Sequence, residues 1–523
     1  MNQPATKLSP PSTLREKLAQ LIVVRIGSNL PPVRTVEQDA ERIAELLPDC
    51  PVGGLIVFNG QRDQTPETLA RLQSISKLPL LVASDIERGV GQQLHGPGLF
   101  PHAMAFEALG DDAEKTVEEF ARLTALDARD SGLHIAFAPV ADVNVDPRNP
   151  IIATRAFGDN PERVAQLVSA FIRGCQAGGL LSTAKHYPGH GNTHEDSHHA
   201  VPTVVADRKT MDQCELVPFR AAIAAGVPLI MSAHVCYPAW DDTGTPATLS
   251  QPILIELLRK QMGFEGAVVS DSLLMEGVKS QCASEGELAV ATLLAGVDIL
   301  LDVAKPQTTL DALEAAVNAG ELPEGRVEEA FARLWRLKRL MFENEGPAED
   351  TSLAEKTDAL ANKVATESIR TLAGEGKRLP FDPKQKVCAI LVRPYESHLD
   401  PPQQPLGAAL KAIVPNSEYH ELGPRSQPED FERVLSHAAN TEQVLVAIIV
   451  KPAAWHAFGL LPEQHTFVEQ LTRQQPCVLA SLGTPEALQK YDGAKEKLCT
   501  FSDVPASQRA LAKLLFSGAT AGA

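Results

Sequence analysis

The chain has 523 residues, 44% hydrophobic and 22% charged, which is typical of a soluble globular protein with two or three domains. Its formal net charge of −18 argues against binding to nucleic acid or to an anionic membrane surface. Eight scattered cysteines, a polar N-terminus and no apolar run approaching roughly 20 residues predict a cytoplasmic protein with reduced thiols and no membrane helix.

Short apolar runs alternate with helical patterns between about residues 20 and 303. Their near-continuous apolar centres are typical of parallel strands buried on both faces. Helical segments such as 112–128, 161–177 and 210–225 lie between them. Strand–helix units repeated in this way predict a TIM-type (β/α)8 barrel, with an open doubly wound sheet as the alternative. The predicted strands are 21–24, 53–58, 78–84, 135–143, 180–186, 228–234, 266–271 and 297–302.

Polar residues stand at the ends of several predicted strands. In a barrel the carboxyl ends of all strands meet at one mouth, so these side chains are expected to converge. This convergence favours the barrel over the open sheet. The residues are Asp85, Asp142, Lys185, His186, His234, Asp271 and Asp302.

A second α/β pattern follows a polar break that begins near Glu343. We therefore expect a barrel domain over 1–345, a linker and helix over 346–375, and a smaller α/β sandwich domain over 376–523. No G-x-G-x-x-G or P-loop motif is present, so nucleotide binding is not favoured. The predicted strands are 387–392, 443–450, 477–482 and 498–502, and the helices are 405–413, 428–439 and 462–474.

The stretch 185–199 contains five of the fourteen histidines. Pro188, Gly189 and Gly191 interrupt regular helix, so the stretch is predicted to be a loop after a strand. So many titratable groups indicate a site, although a solvated polar loop is the alternative. Three chemistries fit: a zinc site, a serine triad, or a histidine oriented by a carboxylate.

The string H-E-x-x-H at 194–198 matches a zinc motif, but that motif needs a continuous helix, for which the neighbouring prolines and glycines leave little room. A serine triad would need Ser197 to meet the adjacent His198, and no G-x-S-x-G elbow is present. Asp196 and His198 are two residues apart and can point to the same side of a loop. Asp196 would then orient the imidazole and raise its basicity, without any metal.

Asp271 follows an apolar strand and is expected at the barrel mouth beside this loop. One carboxylate beside one acid/base group is what retaining glycoside hydrolysis requires. The alternative is that Asp271 only caps the next helix, a role that Ser272 can also fill.

The motif K-H-Y-P-G-H-G-x4-D-S-H from Lys185, together with S-D-S-L-L-M-E-G from Ser270, resembles the family 3 glycoside hydrolases, specifically their β-N-acetylglucosaminidase branch. Segments 85–89, 137–142, 155–158 and 231–234 resemble the same family in the same order. The resemblance implies that Asp271 is the nucleophile, and that His198 is the general acid/base with Asp196 as its partner. It also implies sugar-binding roles for four residues and no cofactor. The four are Asp85, Arg155, Lys185 and His186.

The sequence departs from the family pattern at Arg88, which replaces a glycine, and at Gln93, which replaces an arginine. The expected function is retaining exo-β-N-acetylglucosaminidase activity on a small glycoside, a muropeptide or chitooligosaccharide, during peptidoglycan recycling. A phosphorylase acting on the same substrates, a β-glucosidase or β-xylosidase, and a non-catalytic sugar-binding protein are the alternatives. No nucleic-acid or membrane partner is expected, and the oligomeric state is left open.

Overall fold

The computed structural model describes residues 8–96, 98–193, 201–344, 346, 350–374, 378–397, 404–453 and 456–517. The described residues form two compact units. The first unit comprises those within Met1–Gly98, Glu114–Asn149 and Ala156–Thr357, and the second those within Leu99–Ala113, Pro150–Arg155 and Asp358–Ala523.

The first unit contains ten strands. They are β1 (Ile22–Ile26), β2 (Gly54–Val57), β3 (Gly60–Gln61), β4 (Leu81–Ser84), β5 (Leu94–His95), β6 (Ile135–Ala136), β7 (Leu181–Tyr187), β8 (Leu229–Ser232), β9 (Ala267–Ser270) and β10 (Leu300–Leu301). Eight of them pair in parallel in the order β10-β1-β2-β4-β6-β7-β8-β9, and β3 pairs with β5. A bridge between Val269 and Ile299 joins the two ends of the eight-stranded sheet. The predicted TIM-type barrel is therefore confirmed.

Helices alternate with the barrel strands, and in the described ranges none has the length and apolar character needed to cross a bilayer. The helices up to residue 367 are α1 (Leu14–Gln20), α2 (Val36–Leu46), α3 (Thr65–Ile75), α4 (Ala103–Glu107), α5 (Ala113–Asp130), α6 (Pro161–Ala177), α7 (Arg208–Gln213), α8 (Leu216–Ala224), α9 (Glu276–Lys279), α10 (Glu285–Ala295), α11 (Pro306–Asn318), α12 (Glu324–Phe342) and α13 (Leu353–Glu367). The segment Pro252–Gln261 is a further helix, with π-type hydrogen bonding.

Among the predicted elements of the barrel that differ from the structure, two contain a proline that explains the difference. The helix predicted over 210–225 is divided into α7 and α8, because the ring of Pro218 conflicts with helical geometry at Cys214, four residues earlier. The strand predicted over 135–143 is interrupted: β6 ends at Ala136, Pro139 has no N–H to donate, and Val140 forms an isolated bridge with Lys185.

The second unit is an α/β layer structure, as predicted. Its strands are β11 (Arg370–Ala373), β12 (Val387–Val392), β13 (Glu418–Leu422), β14 (Gln443–Ile448), β15 (Val478–Ser481) and β16 (Glu496–Cys499). They pair in the order β11-β16-β15-β14-β12-β13, and only the β11–β16 pair is antiparallel. The helices that alternate with them are α14 (Pro405–Ile413), α15 (Pro428–Ala439), α16 (Pro462–Gln474) and α17 (Pro505–Leu514).

The two faces of this sheet bury different side chains. Val387, Ala389 and Leu391 of β12 belong to an apolar core that includes residues of α14 and α17. Because side chains alternate along a strand, Cys388 lies on the opposite face, where α15 contacts β12 and β13. In the register between these strands, Cys388 is the partner of Glu418.

Candidate active site

Asp271 follows β9 directly, and its side chain is half-buried. Its N–H donates to the Ser232 carbonyl at 3.2 Å, and Oδ1 accepts from the Ser272 N–H at 2.7 Å. Burial by itself would raise the pKa of Asp271. The electrostatic interactions with His186 and His234, together with the Ser272 N–H, outweigh burial and lower the pKa to about 2. The carboxylate is therefore ionised at neutral pH, as a nucleophile must be.

The residue after Asp271 is held by two sets of hydrogen bonds. The Ser272 hydroxyl donates to Asp302 Oδ2 at 2.6 Å, and Arg25 Nε donates to Asp302 Oδ1 at 3.0 Å. The Ser272 carbonyl accepts from His234 Nε2 at 3.0 Å, while His234 Nδ1 lies 2.8 Å from the Thr248 hydroxyl. These contacts fix the backbone that carries Asp271 and thus restrict the direction of its carboxylate.

Lys185 is an almost fully buried cation in β7, with 2% of its side chain exposed. Its Nζ lies 2.7 Å from Asp85 Oδ1 and 2.7 Å from Glu87 Oε1. A buried charge requires such partners, so Lys185 neutralises carboxylates that follow β4. The side chain of Asp85 remains 29% exposed, so the same pair can also meet a ligand hydroxyl.

His186 is oriented by a buried carboxylate. Its Nδ1 lies 2.7 Å from Oδ2 of the fully buried Asp142. Asp142 also accepts from the backbone N–H groups of His186, at 3.1 and 3.2 Å, and of His190, at 2.7 Å. A carboxylate facing Nδ1 keeps the proton there, so that Nε2 is the acceptor nitrogen of the neutral ring. The barrel thus holds a histidine–aspartate pair in addition to the one predicted from the sequence.

The loop after β7 packs closely against its neighbours. Gly189 has a φ of +135°, and a Cβ there would lie 2.7 Å from Glu215 Cβ. A Cβ on Gly191 would lie 1.7 Å from the carbonyl oxygen of Val143, which no side chain could tolerate. The glycines that indicated a loop are therefore required by the close approach of the backbone.

His190 is buried in this loop, and its Nδ1 lies 2.9 Å from the Thr193 hydroxyl. Asn149 donates to the His190 carbonyl at 2.8 Å. Burial, together with the electrostatic interaction with His186, lowers the pKa of His190 to about 4. His190 is therefore neutral at neutral pH and contributes to the packing of the loop.

The predicted acid/base pair, Asp196 and His198, lies outside the described residues. So do Ser197 and the whole H-E-x-x-H string. Their roles remain predictions. Arg155, the fourth predicted sugar-binding residue, belongs to the second unit, where it ends a 3₁₀ turn and donates to the Ile151 carbonyl at 3.0 Å. The structure therefore gathers four of the predicted residues in one unit, and these are Asp85, Lys185, His186 and Asp271.

Three residues of this region received no role from the sequence. Asp142 and His234 stood out as polar strand-end residues within the family-like segments 137–142 and 231–234, and Glu87 stood out only as part of the segment 85–89. Their positions after barrel strands could have indicated a role in the site, because the carboxyl ends of all barrel strands meet at the same mouth.

The two departures from the family pattern lie near the barrel mouth. Gln93 is buried, and its amide oxygen accepts from Asn29 at 2.9 Å. The Arg88 N–H donates to Gln92 Oε1 at 2.9 Å. Among the described residues of the barrel, no three His, Cys, Asp or Glu side chains lie close enough to hold one metal ion.

The sequence model of the Glycosyl hydrolase family 3 N terminal domain matches residues 13–337. The chain belongs to glycosyl hydrolase family 3. The matched span runs from the N-cap of α1 into the second half of α12, and so the family resemblance inferred from the motifs is confirmed.

Individual relatives extend this similarity. A beta-hexosaminidase A of Pseudoalteromonas piscicida is 32% identical over 355 residues, which cover 61% of this chain and 58% of that protein. A beta-hexosaminidase of Xylella fastidiosa strain 9a5c is 38% identical over 277 residues, 51% of this chain and 81% of that protein. A family 3 beta-N-acetylglucosaminidase structure from Paenibacillus sp. str. FPU-7 is 31% identical and covers 98% of both chains with a TM-score of 0.88. The chain thus spans less than two thirds of the first relative but nearly all of the Paenibacillus protein.

Proposed function

We propose that this chain is a retaining exo-β-N-acetylglucosaminidase that removes a terminal, non-reducing N-acetylglucosamine from muropeptides or chitooligosaccharides. The observation that carries the proposal is the position of Asp271 directly after β9, with its carboxylate held by the Ser272 N–H at 2.7 Å. The names of the Xylella and Paenibacillus relatives support the choice of sugar. A cytoplasmic role in peptidoglycan recycling belongs to the proposal and rests on the sequence alone.

In the proposed reaction, Asp271 attacks the anomeric carbon while a histidine protonates the leaving oxygen. The bond between the anomeric carbon and the leaving oxygen breaks as the glycosyl–Asp271 ester forms. The same histidine then removes a proton from water, which attacks the anomeric carbon and releases the sugar with its β configuration retained.

The acid/base role is assigned to His198, with Asp196 as its partner. This assignment rests on the resemblance of the motif. The His186–Asp142 pair has the same chemical character but accompanies Lys185 and Asp85, so we assign it to the non-reducing sugar. The sugar-binding role of Arg155 rests on the resemblance of the motif alone. A neutral histidine base would not repel phosphate, and so phosphorolysis is the competing reaction.

The test is a panel of aryl β-glycosides, an N-acetylglucosaminide, a glucoside and a xyloside, each assayed with and without phosphate. We expect the N-acetylglucosaminide to be turned over fastest. The product should be free N-acetylglucosamine, and NMR should show that its β-anomer forms first. Formation of N-acetylglucosamine 1-phosphate at a rate rivalling hydrolysis would contradict the assignment as a hydrolase and identify the chain as a phosphorylase. Preference for the glucoside or xyloside would contradict the proposed substrate.

A further inference from the structure

Four side chains with metal-ligating atoms meet at the edge of the sheet in the second unit. Cys388 lies on β12 and Glu418 on β13, as partners in the strand register. His420 is two residues after Glu418, on the same face of the edge strand. His437 comes from the last turn of α15, which contacts both strands. We call these residues the Cys388 cluster: Cys388, Glu418, His420 and His437.

The distances in the Cys388 cluster suit a small ion. The Cys388 sulfur, one Glu418 carboxylate oxygen and one His420 ring nitrogen all lie within 4.8 Å of one another. His437 Nδ1 lies 3.3 Å from His420 Nε2 and 3.5 Å from Glu418 Oε2. Two nitrogens about 2.0–2.1 Å from a tetrahedral zinc ion are separated by roughly 3.3–3.4 Å.

The polar atoms of the cluster are incompletely satisfied by one another. Lys386 holds Glu418 Oε1 at 2.7 Å, but within the described residues the buried Oε2 atom has no hydrogen-bond donor. The ring nitrogens of His420 and His437 face each other, so one proton at most fits between them. A cation among these atoms would satisfy an orphaned oxygen and two nitrogens together.

The protonation states of the cluster bear on how it would bind a metal. Burial, followed by the charge of Glu418, raises the pKa of the Cys388 thiol to about 12, so a bound ion has to displace the thiol proton. Burial and the neighbouring His437 lower the pKa of His420, so that its ring is a neutral ligand. Lys386 lowers the pKa of Glu418, which keeps it ionised. The side chain of His437 is 40% exposed, so solvent and ions reach the cluster from that side.

We propose that Cys388, Glu418, His420 and His437 bind one Zn²⁺ ion. A thiolate, two imidazoles and a carboxylate form a ligand set that zinc accepts in tetrahedral geometry. Four protein ligands close the coordination sphere, so the site is structural and joins edge strand β13 and helix α15 to β12. The thiol proton of Cys388 leaves to solvent as the zinc–sulfur bond forms. This site is independent of the proposed glycosidase reaction.

The test uses the full-length protein, stripped with a chelator and titrated with Co²⁺ as a spectroscopic substitute for Zn²⁺. We expect binding of one equivalent, with a near-ultraviolet thiolate-to-cobalt band and strong visible bands typical of tetrahedral cobalt, all abolished by added Zn²⁺. Cys388→Ser should lose the thiolate band. The matched control is Cys477→Ser, a buried cysteine that precedes β15 and should leave the band unchanged.

The variant His437→Asn tests the site independently of Cys388, since an exposed position tolerates substitution. It should weaken Zn²⁺ binding by about tenfold or more, in line with the loss of one ligand. His465→Asn on α16 is the control and should bind as the wild type does. Absence of a thiolate band in the wild type, or an unchanged band in Cys388→Ser and unchanged affinity in His437→Asn, would overturn the proposal.

Discussion

Two groups of histidines and carboxylates in this chain differ in how fully their polar atoms are paired. In the barrel, the buried Asp142 accepts from His186 and from two backbone N–H groups. Lys185 meets two carboxylates at 2.7 Å each. In the Cys388 cluster, by contrast, a buried oxygen of Glu418 has no donor among the described residues, and two imidazoles face each other.

This difference in pairing indicates that the two groups of side chains are arranged for different kinds of ligand. A paired network fixes its side chains before substrate arrives, and its charges act on the one group that must react, here Asp271. An incompletely paired cluster keeps lone pairs that an added cation can coordinate at the same time. Substitutions in the barrel should therefore affect catalysis and stability, whereas those in the cluster should affect metal affinity.

The largest effect is expected for Asp271→Ala. Without the nucleophile no glycosyl-enzyme forms, and kcat for an aryl N-acetylglucosaminide should fall by at least about 10³-fold. Added azide should restore turnover, because a small anion can attack from the space left by the carboxylate and give the α-glycosyl azide. Activity persisting unchanged in Asp271→Ala would contradict its assignment as nucleophile.

The next effect distinguishes the two histidine–aspartate pairs. General acid catalysis contributes about 10²–10⁴-fold, and only a poor leaving group needs the proton. His198→Ala should therefore slow a disaccharide much more than an activated aryl glycoside. His186→Ala should slow both to a similar extent, because it removes a sugar contact. If the leaving-group dependence appears in His186→Ala instead, the described pair is the acid/base.

Lys185→Met should reduce stability strongly. The change leaves Asp85 and Glu87 without their shared cation, and breaking a buried pair costs about 3–5 kcal/mol. Lys260→Met is the matched control, because its ion pair with Glu256 has the same 2.7 Å length but is exposed. That change should cost no more than about 1 kcal/mol. Urea unfolding of both variants measures the difference, and equal losses would show that burial does not distinguish the two lysines.

His190→Asn should flatten the pH dependence of stability. Because burial lowers the pKa of His190 to about 4, the unfolded chain takes up a proton near pH 6.5 that the folded chain takes up only near pH 4. The free energy of unfolding therefore decreases as the pH falls through this window. The uptake of one proton limits the slope to about 1.4 kcal/mol per pH unit. The variant should lose that part of the slope in urea titrations at several pH values between 4 and 7; an unchanged slope would mean that the pKa of His190 is the same in the folded and unfolded chain.

Much of the fold could be predicted because the ends of many helices carry recognisable residues in the sequence. The predicted helices 161–177, 405–413, 428–439 and 462–474 coincide with α6, α14, α15 and α16, each of which begins with a proline that suits the first helical turn. Strand β13 was missed because Glu418–Leu422 is mostly polar, as an edge strand can be. The Cys388 cluster was missed for the same reason, since two of its ligands stand on that strand.

The barrel site was predictable only in part. Strand ends singled out Asp85, Lys185, His186 and Asp271, because a buried strand that ends in a polar residue is a local pattern. The pairing of His186 with Asp142 depends on parallel neighbours far apart in the chain, as the bridge between Val140 and Lys185 shows. No spacing in the sequence reports such a contact.

The smallest expected effect concerns Lys386. Unlike Lys185 in the barrel, it lies on the surface beside the Cys388 cluster. Its ammonium group pairs with Glu418 Oε1 and therefore repels a cation bound at Oε2. Lys386→Gln should strengthen Zn²⁺ binding by only a few-fold, since an exposed ion pair is worth about 0–1 kcal/mol. Competition with a zinc-binding dye measures the change, and Lys384→Gln, at a neighbouring exposed position, is the control. Weaker binding in Lys386→Gln alone would mean that the lysine acts chiefly by positioning Glu418, and the cluster would then depend on a paired carboxylate just as the barrel site does.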